Sequence, residues 1–313
     1  MIPRQAAATA AGHLGLLLAL LALSPASRAQ DVVVPPKGHG SVSIDYLQVR
    51  VEQRTDDAGH KENVGKVDYR TVRLNLAYGF ADRWALNVGL PFGSNRASGT
   101  DHDPRIFSDP HGQHFIDDGS FHAGWKDWSV GMSYQWLAAP VSVTPYWSYH
   151  FPSHNYQYYG ESALGLQQSE LQLGISAGGR LRGSWRNAYV TGTASYSYMQ
   201  KKGDQRVNHS IVQLGMGYFF SPRLSAHVGL TRRRSYGGLD FPAALFDSNG
   251  ALIEDVLFHH DTIRNISFTE AHVGVDFQLD QYFTLFADGG RTLRGNNSNL
   301  IKSAISVGIS RSF

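Results

Sequence analysis

The chain ends with residues 305–313, ISVGISRSF, in which apolar side chains alternate with small or polar ones. A period of two places successive side chains on opposite faces of a β-strand. The terminal strand therefore has one apolar face and one polar face, and its last residue is the aromatic Phe313. One such strand fits the edge of any sheet, so the fold depends on whether the pattern recurs.

The pattern recurs most clearly in a hairpin that joins residues 72–78 to residues 84–92 through a turn at 79–83. Apolar side chains occupy every second position of both arms, and Arg73 falls between them. An arginine that faced lipid at the middle of a bilayer would cost about 2–4 kcal/mol. The apolar face is therefore predicted to point outward, and Arg73 into a lumen.

About twelve such strands follow one another, and long and short connections alternate between them. The long ones are predicted at 53–65, 93–124, 151–168, 200–206, 235–262 and 294–299. The short ones include 79–83, 138–140, 220–223 and 279–281. We predict an all-β fold, a single transmembrane antiparallel β-barrel over residues 41–313 with short periplasmic turns and long extracellular loops. A soluble secreted β-sandwich does not explain why the long loops fall on one side.

The start of the chain predicts export. Arg4 precedes a leucine- and alanine-rich run at 14–23, Pro25 breaks that run, and small residues flank the peptidase site before Gln30. We expect residues 1–29 to be a signal peptide and residues 30–40 to be an extended periplasmic lead-in. In the first strand, the alternation shifts by one step near Tyr46, which suggests a bulge.

The composition narrows the possible partners. The formal net charge of +2 is too small to indicate a nucleic-acid partner, and the chain has no cysteine with which to form disulfides. Thirty-three glycines suit tight turns and small lumen positions, and the Tyr and Trp residues suit interfacial girdles. Localisation in the bacterial outer membrane follows, with outer-membrane lipid as a partner and no cofactor expected.

Parity along the strands assigns a set of polar residues to the lumen. They are Arg73, Asn75, Asn87, Gln135, Tyr146, His150, Gln172, Tyr189, Thr193, Gln213, His227, Arg233, His272, Asp276 and Asp288. They either line a conducting pore or form an internal network that fills a plugged lumen. Both remain open, because a barrel of about twelve strands is intermediate between eight-stranded barrels, which side chains fill, and sixteen-stranded barrels, which hold an aqueous channel. Both signs of charge are present, so we predict no strong ion selectivity.

The sequence gives weaker support for a metal site and for a catalytic site. His111 and His114 stand three apart in a loop rich in His and Asp, which would suit a divalent metal if the loop were ordered, although a solvated loop is the simpler interpretation. Ser225 and His227 share a strand face, as in a hydrolase on a barrel rim, but the sequence places no orienting acid beside them. We predict no metal site and no enzyme.

Four segments carry a recurring strand-and-turn pattern: residues 78–92 (YGFADRWALNVGLPF), 124–134 (GWKDWSVGMSY), 217–224 (GYFFSPRL) and 286–292 (FADGGRT). These segments resemble one family of bacterial outer-membrane barrels, the MetA-pathway of phenol degradation family. Trp125 and Trp128 stand where that family usually has aliphatic residues. The resemblance implies an outer-membrane channel for passive uptake of small solutes, including aromatic or hydrophobic compounds, and it supplies no catalytic residues.

Two further expectations concern assembly and the alternative function. The terminal Phe313 resembles the signal that is read by the barrel-assembly machinery, so we predict that it is the assembly signal of this chain. The alternative to a channel is a non-transporting outer-membrane barrel, either a lipid-modifying enzyme or a surface-binding or structural protein.

Overall fold

The structure, a computed structural model, describes residues 32–99, 116–241, 244, 247–250 and 253–313. The strands are β1 Gly40–Thr55, β2 Lys61–Ala81, β3 Trp84–Ser98, β4 His122–Trp125, β5 Trp128–Tyr134, β6 Ser142–Phe151, β7 Glu170–Arg180, β8 Ala188–Met199, β9 Asn208–Ser221, β10 Leu224–Tyr236, β11 Ser267–Gln278, β12 Phe283–Asn296 and β13 Asn299–Ser312. A 3₁₀ turn, Gly183–Trp185, and a helix, α1 Glu254–Ile263, complete the elements. In the described part of the chain, no helix is long and apolar enough to cross a membrane.

The strands close into a ring of antiparallel neighbours. β4 and β5 both pair with β3, so they act as one barrel strand that is interrupted at Lys126 and Asp127. β1 pairs with β2 on one side and with β13 on the other. The result is a closed twelve-stranded barrel, which confirms the predicted fold class.

The last strand closes the ring. β1 and β13 pair with Ile44 opposite Ile309 and Tyr46 opposite Val307. Two backbone hydrogen bonds of 2.9 Å join Gly40 and Phe313 in both directions at the periplasmic end. Since the ring has no open edge, the strands leave no row of unpaired backbone groups to face lipid.

The outer face carries the apolar half of each alternating pattern. Exposed positions on β1 are Val42, Ile44 and Tyr46, and β13 exposes Ile305 and Val307. Other strands expose the corresponding residues: Val72, Leu74, Tyr78, Leu171, Leu173, Ile175, Val212, Leu214, Met216, Val228, Leu230, Val273 and Val275. This continuous apolar band fits a hydrocarbon layer, and it places the barrel in the bacterial outer membrane.

The connections differ between the two ends as predicted. β2–β3, β9–β10 and β11–β12 are joined by short turns on the side of both termini, and β6–β7 and β10–β11 by long segments on the other side. Two expected loops are much shorter, because β1 and β2 extend to residues 55 and 61, and β12 and β13 to 296 and 299. The residues of these two expected loops are polar because they belong to the ends of strands that extend above the bilayer into water.

The expected bulge near Tyr46 is wrong. The β1–β2 register is continuous from Asp45 to Leu47, and the irregularity lies between Val51 and Gln53. The polarity of the two strand faces is exchanged near Tyr46. Before this point the apolar side chains of β1 face the lipid, and beyond it they face the lumen. A switch of the apolar face looks like a shift of register when only the sequence is read.

We predict that deletion of Phe313 impairs assembly of the barrel. The Phe313 ring stacks on Tyr78 with centroids 6.5 Å apart, and its backbone closes β1 to β13. The heat-modifiable band on a gel of outer-membrane fractions should fall strongly, while secretion continues. The control is Phe220→Ala, which removes an aromatic ring that is 64% exposed at the periplasmic end of β9. Normal barrel levels in the deletion variant would refute the prediction.

Candidate functional site in the barrel lumen

The periplasmic half of the lumen is polar and internally paired. Arg73 Nη2 lies 2.6 Å from Asp45 Oδ2, and Arg73 also donates to the Ser306 hydroxyl at 3.4 Å. These side chains come from β2, β1 and β13, so the ion pair joins three adjacent strands beside the closure. Asp45 was not among the predicted lumen residues, although it has the inward parity of β1, whereas Ser306 is inward-facing as the alternation of the last strand predicts.

Two aspartates hold a histidine on the neighbouring arc of the wall, which β10, β11 and β12 form next to β13. His227 Nε2 lies 2.9 Å from Asp288 Oδ1, and His227 Nδ1 lies 3.5 Å from Asp276 Oδ2. His272 packs beside this group, with its ring centroid 6.4 Å from that of His227. All four are predicted lumen residues, and the structure brings them together across β10, β11 and β12.

An orienting acid is therefore present beside His227, contrary to the expectation from sequence. The Ser225 hydroxyl donates to Asp276 Oδ2 at 3.3 Å, so its hydrogen bond is made to a carboxylate and not to the imidazole. Activation of a serine nucleophile needs the hydroxyl to donate to the histidine.

The other predicted lumen residues also lie on inward-facing positions, mostly in pairs between strands. Asn75 donates to Ser43, Asn87 to Ser133 and Gln172 to Ser195, Thr193 bonds to Ser176, and His150 lies 3.1 Å from Ser148 Oγ. Tyr146 and Tyr189 pack over Gly174 and Gly217 of neighbouring strands. Gln213 is half-buried, and Arg233 is fully buried among carboxylates that include Glu170 and Glu270.

The extracellular half of the lumen differs, because one arc of its wall is apolar. This apolar wall consists of Leu47, Val49, Val51, Val67, Tyr69, Ala97, Ile301 and Ala304. Its members lie on β1, β2, β3 and β13, and Leu166, Ile266 and Phe268 pack against them from other parts of the chain. The lumen is therefore lined by more than the predicted polar residues, since a strand above the bilayer can turn its apolar residues inward.

A connecting segment fills the space in front of the apolar wall. Residues 152–169, here called the inner segment, leave β6 and return to β7. At its tip, Glu161 Oε2 accepts from the Tyr69 hydroxyl at 2.9 Å and from Asn299 Nδ2 at 3.0 Å. β7 and β13 stand opposite each other in the ring, since β8 to β12 separate them on one side. The inner segment therefore crosses the lumen.

The tip of the inner segment is fixed by several further contacts. The backbone amides of Glu161 and Ser162 donate to Asp117 at 3.0 and 2.8 Å. The Ser162 hydroxyl accepts from the Ala97 amide at 2.9 Å, and the Ala163 carbonyl accepts from Asn95 Nδ2. These bonds provide acceptors for the backbone amides of the tip and for the Ala97 amide at the extracellular end of β3.

Aromatic and aliphatic side chains hold the rest of the inner segment. Leu164 packs on Gly93 and Gly124, where a Cβ on Gly124 would collide with it. Tyr156 donates a hydrogen bond to Asp127 and accepts from the Gln167 amide at 3.1 Å. Burial, together with the Asp127 carboxylate, raises the pKa of Tyr156 well above its ordinary value. The phenol therefore stays a donor throughout the physiological range.

The β10–β11 connection covers the extracellular mouth above the inner segment. The Phe241 carbonyl accepts from the Asp57 amide at 3.4 Å, and its own amide donates to Asn297 Oδ1 at 3.3 Å. Residues 254–263 form α1, which was expected to be loop, and His259 lies with its ring 6.1 Å from that of Tyr158. The two connections therefore support each other over the mouth.

The N-terminal residues cross the periplasmic mouth. Val32 and Val34 are 3% and 8% exposed, so the lead-in is folded into the barrel end. The Val32 carbonyl accepts from Ser142 Oγ at 2.8 Å, and the Val34 amide donates to Gln135 Oε1 at 2.8 Å. Gln135 is thus a predicted lumen residue whose amide binds the chain's own backbone.

The described part of the His- and Asp-rich loop contributes Asp117, which accepts from the backbone amides of Glu161 and Ser162. His111 and His114 lie outside the described residues, as does the predicted signal peptide. Over the residues that the structure does describe, no group of three or more His, Cys, Asp or Glu side chains could hold a metal ion.

The fold is similar to that of known outer-membrane channels. The COG4313 outer membrane channel from Pseudomonas putida F1 is 17% identical, with a TM-score of 0.67 over 91% of this chain and 99% of that chain. The NanC porin is 12% identical, with a TM-score of 0.48 over 86% and 98% of the two chains. The KdgM porin is 12% identical, with a TM-score of 0.44 over 87% and 99%. The first likeness establishes the shared barrel fold.

No protein-family model matches the chain, and no curated protein matches it. The resemblance to the phenol-degradation family of barrels therefore stays a prediction.

We predict that Tyr69→Phe lowers the free energy of unfolding by about 1–3 kcal/mol, because a buried Glu161 oxygen loses its hydroxyl donor. The measurement is urea unfolding of the folded barrel, followed by tryptophan fluorescence. The matched control is Tyr198→Phe, since that side chain is 47% exposed on the outer face. Equal stability of the two variants would show that Glu161 does not depend on Tyr69.

Proposed function

We propose that this chain is an outer-membrane channel for passive uptake of small solutes, and that the inner segment sets its conductance. The observation that carries the proposal is that the lumen holds a length of main chain, residues 152–169, in addition to the side chains of the wall. An eight-stranded barrel has an interior just wide enough for its own side chains. A lumen that encloses backbone has room for a solute when that backbone moves.

The contacts of the inner segment support movement without disruption of the barrel. They are hydrogen bonds that each involve a side chain, such as that of Tyr69, Asn95 or Asp117, and the packing of Leu164 and Leu166. None of them belongs to the strand pairing that closes the ring. Displacement of the segment therefore leaves the twelve-stranded wall intact, and it opens a path between the polar arc and the apolar wall.

The preferred solutes are proposed to be small aromatic or hydrophobic compounds with a polar group. The apolar wall supplies a surface for a ring, and the opposite arc supplies charged and hydrogen-bonding groups such as Arg233 and His150. A site with few placed polar groups on an apolar surface is typical of small-molecule recognition. The resemblance to the phenol-degradation barrels points to the same class.

The rival function is a non-transporting barrel, either a lipid-modifying enzyme or a surface-binding protein. The observation in its favour is that chain segments cover both mouths, with Val32 at one end and Phe241 at the other. The rival predicts that changes to the inner segment leave permeability unchanged.

The deciding experiment replaces residues 154–167 with a short Gly–Ser linker. Because His150 pairs with Glu170, the ends of β6 and β7 are close enough to be joined by a hairpin. We predict small conductance steps for the unaltered protein in planar bilayers, and steps several-fold larger for the shortened variant. Liposome swelling should be faster with phenylglycine, a zwitterionic aromatic solute that the bilayer itself excludes, than with a sugar of similar size.

The matched control replaces residues 182–186 in the periplasmic β7–β8 connection with a Gly–Ser linker of equal length. This variant should conduct like the unaltered protein, because those residues are exposed and lie at the end of the barrel away from the tip contacts. Silent, impermeable barrels for both the unaltered and the shortened protein would overturn the channel and favour the rival.

A further inference from the structure

A tier of arginines surrounds part of the outer face of the barrel, on the extracellular side of the apolar band. The arginine tier, as defined here, comprises Arg50, Arg70, Arg96, Arg232, Arg291 and Arg294. All six lie on outward-facing strand positions, and all except the half-buried Arg96 are exposed. They belong to β1, β2, β3, β10 and β12, a group of strands around the β1–β13 closure.

The tier begins where the lipid-facing residues end. On β2 the outward position after Val72 is Arg70, and on β10 the position after Leu230 is Arg232. On β3 the last apolar outward residue is Phe92, whose ring meets that of Trp125 at 5.4 Å. Each step of two residues along a strand rises about 6.6 Å. The guanidinium groups therefore stand just above the aromatic edge of the hydrocarbon layer.

The guanidinium groups of β2 and β3 are held in place. Arg70 and Arg96 lie over the ring of Phe121, with their central carbons 4.1 and 4.5 Å from its centroid. Arg96 Nη2 also lies 2.8 Å from Asp68, which accepts from Arg50 at 3.1 Å as well. One carboxylate thus serves two guanidinium groups, and Arg70 adds a third positive charge to this side.

The β12 part of the tier also carries excess positive charge. Arg291 and Arg294 are both exposed. They lie opposite Ala271 and Thr269 of β11, and these two β11 residues lie opposite Leu230 and Arg232 of β10. Arg232 Nη1 donates to the hydroxyl of Thr269 at 2.8 Å, and Thr269 is the residue of β11 that lies opposite Arg294. Among the described residues, neither Arg291 nor Arg294 forms an ion pair, so both remain able to bind an anion.

The rest of the barrel is different at this height. At the corresponding ends of β6, β7 and β8 the outward residues are Tyr149, Leu171 and Tyr198. The positive charge is therefore confined to one sector of the outer face.

We propose that the arginine tier binds the phosphate groups of the phosphorylated glycolipid of the outer leaflet, lipid A. Its acyl chains would pack on the apolar band beneath, and its two phosphates would receive charge-assisted hydrogen bonds from the arginines. Arginine presents a planar fork that matches phosphate, and such pairs are stronger than neutral hydrogen bonds. Clusters of basic residues next to a membrane-spanning surface recognise anionic headgroups by the same chemistry.

The test uses the triple variant Arg70→Gln, Arg291→Gln and Arg294→Gln, which leaves the Asp68 ion pairs intact. The control triple variant is Arg182→Gln, Arg186→Gln and Arg223→Gln, which removes equal charge from exposed periplasmic positions. Native mass spectrometry of the folded barrels measures binding of bisphosphorylated lipid A, monophosphoryl lipid A, phosphatidylglycerol and inorganic phosphate. Heat modifiability verifies the fold, and Arg70→Gln alone is the fallback variant.

The tier variant should bind bisphosphorylated lipid A about a hundredfold more weakly, since three basic residues that each contribute on the order of 1 kcal/mol near a lipid surface together amount to roughly two powers of ten. The control should bind it like the unaltered protein, and monophosphoryl lipid A should bind the unaltered protein more weakly. Equal loss in both variants, or unchanged binding in the tier variant, would overturn the proposal. Phosphatidylglycerol or inorganic phosphate bound as tightly as lipid A would overturn the assignment to the glycolipid.

Discussion

The hydrocarbon core of a bilayer offers no partner to a backbone amide or carbonyl, so a sheet can cross it only when its edges meet. Here the edges meet between β1 and β13, where Ile44 stands opposite Ile309 and Gly40 exchanges hydrogen bonds with Phe313. The Arg73–Asp45 ion pair and the Ser306 hydroxyl support this junction from the lumen side. The lipid-facing band and the enclosed lumen both depend on that closure.

The sequence predicts the parts of the structure that obey a period of two. The fold class, the strand number, the sidedness of the loops and the inward parity of Arg73, His227 and Asp288 all follow from alternation. An inward-facing residue in a barrel meets inward-facing residues of neighbouring strands, but the sequence does not give their register. The His227–Asp288 and His227–Asp276 contacts therefore emerge only when β10, β11 and β12 are aligned.

The apolar wall and the inner segment could not be predicted from the alternation of polar and apolar residues. The apolar wall uses the same alternation as the lipid-facing band with the opposite polarity, and Leu47 next to Tyr46 therefore resembles a bulge. The inner segment has no period, and its position depends on long-range partners such as Tyr69 and Asn299. Glu161 looks like a solvated loop residue in the sequence, but it is a buried acceptor that joins two strands on the far side of the lumen.

The central claim is that the inner segment lies on the inner wall and limits passage through the lumen. The chain has no cysteine, so the pair Gly124→Cys and Leu164→Cys would be its only thiols, at positions where a Cβ on residue 124 touches the Leu164 side chain. Single-channel conductance of this variant in a planar bilayer, before and after oxidation, is the most direct test. We expect the disulfide to form and to lower the conductance, and a reductant to restore it. Failure to cross-link in the folded barrel, or a conductance that oxidation leaves unchanged, would contradict it.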